Sequence, residues 1–355
     1  MSDDQHTTDD AVSTEGMAPA APGREAVTGG NGRRRERRRG GGGRGEERMV
    51  PDAVFSSYYG KPILNKPTWE APDIPGYFFL GGLAGAASVV AAGAQLTRRP
   101  GLARASKVGS TVAVGLSLAA LVHDLGRPSR FLNMLRMVKP TSPMSIGSWI
   151  LSAYGPASVL ASATDVTGRL PVLGTAATMG AAALGPALAS YTAALLSDTA
   201  VPAWHEGYRE MPFLFVASGA SAAAGLGLVG APKRENGPVR ALAVLAGPAE
   251  IAISKVMEKR MGIVEECYHE GKAGKYQRLA EQLTIAGTAA ALLARRSRLV
   301  AIAAGTALLA GSALTRFGIF EAGLASAEDP KYTVVPQRER LAAEAAAAQP
   351  EAVAS

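Results

Sequence analysis

Cysteine is almost missing from these 355 residues, with Cys267 standing alone. An iron–sulfur cluster takes about four thiolates and a disulfide takes two, so the chain is expected to hold neither, and any electrons it handles must come from a partner. Histidine is nearly as scarce: His6, His123, His205 and His269 complete the set. A bis-histidine haem in a membrane bundle needs two histidines facing each other at depth. His6 lies in the N-terminal stretch, and His205 and His269 fall in polar connections, so no haem is expected. No two histidines or cysteines share helical spacing, so no metal site is expected either.

Charge is thin as well, at 19% of residues against 47% hydrophobic, and it is unevenly spread. Residues 1–48 have almost no large apolar side chains and include RRRERRRGGGGRGEER, a composition that cannot offset the entropy of ordering. They are expected to form a disordered basic tail. They also lack the apolar stretch of a cleavable signal, so insertion is expected to begin with the first spanning helix, and Met49 offers an internal alternative start. A net charge of +7 raises the question of nucleic acid. The basic run has no interleaved aromatics and no helical reading module follows it, so nucleic acid is not an expected partner.

What the chain does have, from Ile74 onward, is a succession of apolar runs of about 20 residues, the length a helix needs to cross hydrocarbon. They fall at 75–96, 106–125, 143–163, 169–197, 211–230, 238–258, 279–294 and 298–323. This predicts an all-α, polytopic membrane protein with eight transmembrane helices, entered through a proline-punctuated approach over 49–73 and followed by a C-terminal tail over 326–355. Tyr58, Tyr59 and Trp69 in the approach suit the membrane–water interface. The runs are rich in Gly, Ala and Ser, as at Gly81 and Gly85, which lets neighbouring helices come close. Lys and Arg in the connections nearly balance across the two sides. The arginine-rich tail then tips both termini to the cytoplasmic face of the plasma membrane, an argument that a start at Met49 would remove.

The stretch 123–149, HDLGRPSRFLNMLRMVKPTSPMSIGSW, concentrates the uncommon residues. Gly126 and Pro128 stop the second run after His123 and Asp124. A short amphipathic turn follows, with Phe131, Met134, Leu135 and Val138 set among Arg127, Arg130, Arg136 and Lys139, a pattern suited to a membrane surface. Asp124-Leu-Gly-Arg-Pro128, then Arg130-Phe131, Ser142-Pro-Met-Ser145 and Trp149, resemble the signature of the NrfD/PsrC family, membrane subunits of polysulfide-reductase-like molybdoenzyme complexes. YFFLGGLAGAAS in the first run, and TAALLSDTAVPAW leading into LFVASG, are similar to that family too. The resemblance spans roughly residues 50–325.

It implies two four-helix bundles serving as membrane anchor and quinone-reactive subunit. A four-cluster iron–sulfur protein would link them to a molybdopterin catalytic subunit, as in a formate dehydrogenase or a polysulfide reductase. It also implies that Tyr191, in the fourth run, hydrogen-bonds the quinone head group, with Tyr77 and Tyr154 as lesser candidates. Some family members carry a histidine at the start of the first helix, where Asp73-Ile-Pro-Gly-Tyr77 offers none.

From the residues themselves, His123 and Asp124 are candidates for proton delivery at the end of the second helix, and a structural cap is the competing account of Asp124. Glu250 lies mid-run, two residues after Pro248, whose missing N–H leaves carbonyls free and favours a hydrated cavity. It is the candidate for carrying protons, against a neutral carboxyl bonded to a Ser or Thr. Arg316 is a candidate partner for it. Two other classes remain open: a secondary transporter, which would also have eight spans and a mid-membrane carboxylate, and a pure anchor without ligand.

Overall fold

The computed structural model describes residues 63–353 apart from Pro128 and Met137. The N-terminal tail, Met49, Tyr58 and Tyr59 lie outside these residues, as does the side chain of Phe131. No strand occurs among the described residues. The helices are α1 (Asp73–Leu96), α2 (Pro100–Asp124), α3 (Ser129–Met134), α4 (Pro143–Thr167), α5 (Pro171–Ser197), α6 (Pro202–His205), α7 (Met211–Gly230), α8 (Gly237–Arg260), α9 (Glu266–His269), α10 (Gly271–Leu293), α11 (Arg298–Glu328) and α12 (Lys331–Val353).

Their boundaries follow local chemistry. Pro100, Pro143 and Pro171 open α2, α4 and α5, where a missing N–H costs nothing and the fixed φ suits the first turn. Gly168 closes α4 and Gly126 follows α2, at φ +67° and +65°, a geometry that glycine adopts without a Cβ clash. The amphipathic turn expected after Gly126 is the six-residue α3.

Several helices extend beyond the apolar runs. The polar connection expected over 259–278 is already helical from Gly271, and the expected C-terminal tail carries α12. Apolar length sets where a chain can cross hydrocarbon. Helical hydrogen bonding continues past that point wherever packing supports it.

Among the described residues, five helices are long and apolar enough to cross a membrane: α1, α2, α5, α7 and α11. The chain is thus a multi-pass, all-helical membrane protein. The remaining long helices, α4, α8, α10 and α12, fall short of that measure. α8 carries Arg240, Glu250, Lys255, Glu258, Lys259 and Arg260, and α4 is diluted by serines.

α1 packs on α2, α5, α7 and α11. α4 lies against α2 and α5, while α8 and α10 pair with each other and with α7 and α11 respectively. Small residues permit this. A Cβ on Gly85 would stand 2.3 Å from the carbonyl oxygen of Gly185, so α1 and α5 cross backbone to backbone. α7 and α11 cross in the same way at Gly225 and Gly305, where a Cβ would stand about 2.5 Å from the opposite carbonyl. Large apolar side chains such as Val112, Val172, Leu245 and Leu299 face outward, as hydrocarbon surroundings allow.

Antiparallel packing gives the bundle two ends. At one, His123 meets Asp73, Trp69 stacks on Trp204, and Arg260 meets Glu210. At the other, Asp165 meets Lys107 and Arg104, and Glu235 caps the start of α2 through the N–H of Leu102. Lys107, which bonds Asp165 at this end, is a buried residue of α2.

Candidate functional site

At the Trp204 end a cavity of ≈ 210 Å³ lies where α1, α2, α4 and α5 converge, walled by Trp69, Tyr77, Asp124, Arg130, Ser148 and Tyr191. Its walls are mostly aromatic and aliphatic, with a few polar groups converging, the usual constitution of a site for an organic ligand. Tyr191 and Tyr77 are 8% and 4% exposed, with ring centroids 6.4 Å apart in an edge-on arrangement. Neither phenol oxygen has a hydrogen-bond partner among the described residues, although each can donate one bond and accept others. Such groups, buried but open to a cavity, suit a carbonyl-bearing ligand.

The seat of Tyr191 depends on a residue that sequence reasoning passed over. A Cβ on Gly147 would come 2.3 Å from the Tyr191 ring, so only glycine leaves room for the phenol in that position. Asp124 is held at the rim by a long bond from the N–H of Glu70, at 3.5 Å. Arg130, the second residue of α3, supplies the cavity's positive group.

The other sequence candidates are placed differently. His123 is not in the cavity wall; its side chain is 81% exposed, and Nδ1 lies 2.6 Å from Asp73 Oδ2. It stands beside the rim formed by its neighbour Asp124. Tyr154 is away from the cavity, fully buried, its hydroxyl donating to the carbonyl of Ala84 and lying 2.7 Å from Ser110 Oγ. Together with Ser158, that network ties α1, α2 and α4 together. Trp204, with no role assigned from sequence, donates its indole N–H to Ile319 at 2.9 Å and sits directly over Gly323, where any Cβ would collide.

Glu250 lies deep between α8 and α11, 3% exposed. One carboxyl oxygen accepts from Thr315 at 2.9 Å, and the other has no partner among the described residues. Arg316, also fully buried, lies over the Phe215 ring at 3.8 Å and donates Nη2 to the Phe215 carbonyl at 2.7 Å. Its Nε and Nη1 have no partner among the described residues. Among the described residues no direct bond joins Arg316 to the Glu250 carboxyl. A cavity of ≈ 60 Å³ joins Glu250 to Ser254, Glu258, His269 and Glu281, room for a few waters at about 15 Å³ each. Polar side chains therefore lead from the buried carboxyl to half-exposed His269 and Glu281.

Near that mouth, Glu258, Glu265 and His269 bring potential ligand atoms within 4.8 Å of one another. His269 already sits 3.3 Å from Glu265 and 3.6 Å from Glu258, and Lys255 lies 3.3 Å from Glu258, so these side chains are already partnered with one another. The i, i+4 spacing of Glu265 and His269 was the sequence signal for it. Nearby, Glu266 is held below the usual carboxylate range by the Lys331 ammonium bonded to it at 2.7 Å. Burial pushes the Cys267 thiol up to about 11, so the lone cysteine stays protonated and poorly nucleophilic.

No curated protein matches the chain. The family model described as polysulphide reductase, NrfD, matches residues 62–231. This is narrower than the stretch expected from sequence, and it takes in the tyrosine cavity while leaving Glu250 and Arg316 beyond it. NrfD-family chains are membrane subunits of oxidoreductase complexes. Residues 62–231, just under half of the chain, are thus similar to the NrfD, polysulphide reductase, family, and the membrane-crossing helices accord with that likeness.

Proposed function

We propose that this chain is the quinone-reactive membrane subunit of a molybdoenzyme complex, exchanging electrons between a partner iron–sulfur subunit and the quinone pool. Its long helices make eight spans in two four-helix bundles, α1, α2, α4 and α5 forming one and α7, α8, α10 and α11 the other. The observation that carries the reading is the cavity where two unpartnered phenols, Tyr77 and Tyr191, meet a carboxylate, Asp124, and a guanidinium, Arg130. Its volume suits a head group whose tail stays in lipid. The fit is chemical: phenol hydroxyls donate to carbonyl oxygens, and aromatic rings flank a flat ring.

A quinone supplies two-electron, two-proton chemistry when bound. Tyr191 and Tyr77 would orient its oxygens, and Asp124, beside solvent-exposed His123, would hold or pass a proton at the rim. The cavity opens toward the Asp124–Arg130 segment, the surface on which an iron–sulfur partner would bring a cluster within reach. Glu250 would take up and release protons through the polar path toward His269 and Glu281.

The test is to purify the protein with its natural partners and measure quinone, iron–sulfur and metal content. Bound quinone together with a copurifying cluster protein supports the reading. Absence of both would leave a secondary transporter, if Glu250-dependent flux is found, or a bare anchor.

A further inference from the structure

The opposite end of the bundle carries a second, larger cavity that the quinone reading does not use. It measures ≈ 580 Å³ and lies between the ends of α1 and α2 and those of α4 and α5, walled by Gln95, Arg98, Arg99, Lys107, Asp165 and Thr175. Its charge is not balanced. Asp165 is its one acid, and it is shared by Lys107 at 3.0 Å and Arg104 at 2.9 Å. Among the described residues neither Arg98 nor Arg99 is in a salt bridge, and Arg99 has only the Thr97 hydroxyl, at 2.9 Å. Two guanidiniums without acids therefore face a cavity whose floor is a buried lysine.

Two further observations narrow the ligand. Gln95 spends its amide N–H on Thr175 at 2.8 Å, which leaves its Oε1 buried without a donor. A ligand that carries a hydroxyl as well as negative charge would satisfy it. The chain flanking the wall is apolar and exposed: Leu96 is 72%, Val166 62%, Leu170 63% and Val172 84% accessible. Hydrocarbon chains can lie along those side chains while an anionic head group sits inside, as in basic pockets between transmembrane helices.

We propose that this cavity is a binding site for the phosphodiester head group of a hydroxyl-bearing anionic phospholipid. Arg98 and Arg99 hold the phosphate oxygens, Lys107 adds positive potential from below, and Gln95 Oε1 accepts from the head-group hydroxyl. Guanidinium forks match phosphate oxygens two at a time, which a single exposed lysine does not. The proposal needs the chain to sit in a membrane. It does not need a quinone at the other end.

Native mass spectrometry of the full chain in dodecyl maltoside tests it, with dioleoyl phosphatidylglycerol, dioleoyl phosphatidylcholine and inorganic phosphate as probes. Phosphatidylglycerol is expected to bind at least about tenfold more tightly than phosphatidylcholine, and Arg98→Ala with Arg99→Ala should remove that preference. Lysine at both positions should restore most of it. Arg98→Glu provides a second variant that loses no side-chain partner, and it too should abolish the preference at an unchanged lipid-free melting temperature. Equal binding of the two lipids, or a preference untouched by these variants, overturns the site. Displacement of phosphatidylglycerol by millimolar phosphate would identify free phosphate as the ligand and overturn the lipid assignment.

Discussion

Removing the Tyr191 hydroxyl leaves its ring packing intact, so Tyr191→Phe should keep the fold while weakening quinone binding by about 1–2 kcal/mol, the worth of one buried hydrogen bond. A binding titration in detergent or nanodiscs reads this directly, and unchanged affinity removes Tyr191 from the site. Gly147→Ala is the steric counterpart. Its methyl would displace the Tyr191 ring, so it should lower quinone affinity and cost about 1–3 kcal/mol of stability, the usual penalty of overpacking. Glu250→Gln keeps the bond to Thr315 but cannot titrate. It should depress quinone-linked turnover throughout about pH 5–8, and turnover equal to wild type would leave Glu250 as packing. At this scale the sequence showed which residue types were out of place in hydrocarbon, such as Glu250 and Arg316. It did not show which would share a cavity. Tyr154 and Tyr191 look alike in sequence, and only packing assigns one to an interhelical hydrogen-bond network and the other to an open wall. Lys107 was unreadable for the same reason, because its burial depends on Asp165, 58 residues away.

Elements were more legible, since apolar length and proline position are local properties. The fifth run coincides with α7, and Gly126 takes the left-handed geometry expected of it. The helices that overran their apolar stretches, α2, α10 and α11, did so into segments whose charged residues find partners, as Glu235 caps α2. The Asp124–Arg130 segment and α3 should form the docking surface for an iron–sulfur subunit. Cysteine crosslinking from Arg130 or Arg136 should capture that subunit, and capture only from Arg98 would place the partner at the other end. The loop before α7 is fastened to the end of α8 by Glu210 and Arg260, with N···O distances of 2.6 and 2.8 Å. That guanidinium holds the Glu210 carboxyl below its usual range. A depressed folded-state value contributes stability that is present above the ordinary carboxylate range and is lost as pH falls through the depressed value. Glu210→Gln should therefore lower thermal stability near neutral pH, by about 1–3 kcal/mol for a bond to a charged group. The difference from wild type should shrink in strong acid, as melting curves across the pH range would show.

In the whole molecule, two cavities occupy opposite ends of one set of four helices, α1, α2, α4 and α5. The one at the Trp204 end is aromatic, and the one at the Asp165 end is basic. The stacked indoles of Trp69 and Trp204, with ring centroids 5.5 Å apart, tie these features to an optical signal. Trp69 forms part of the aromatic cavity's wall, and Trp149, the third indole, is 44% exposed on α4. Quinones accept electrons from excited indoles on contact. A quinone arriving beside Trp69 would therefore darken the emission of the stacked pair, which would give the protein an unlabelled fluorescent gauge of occupancy.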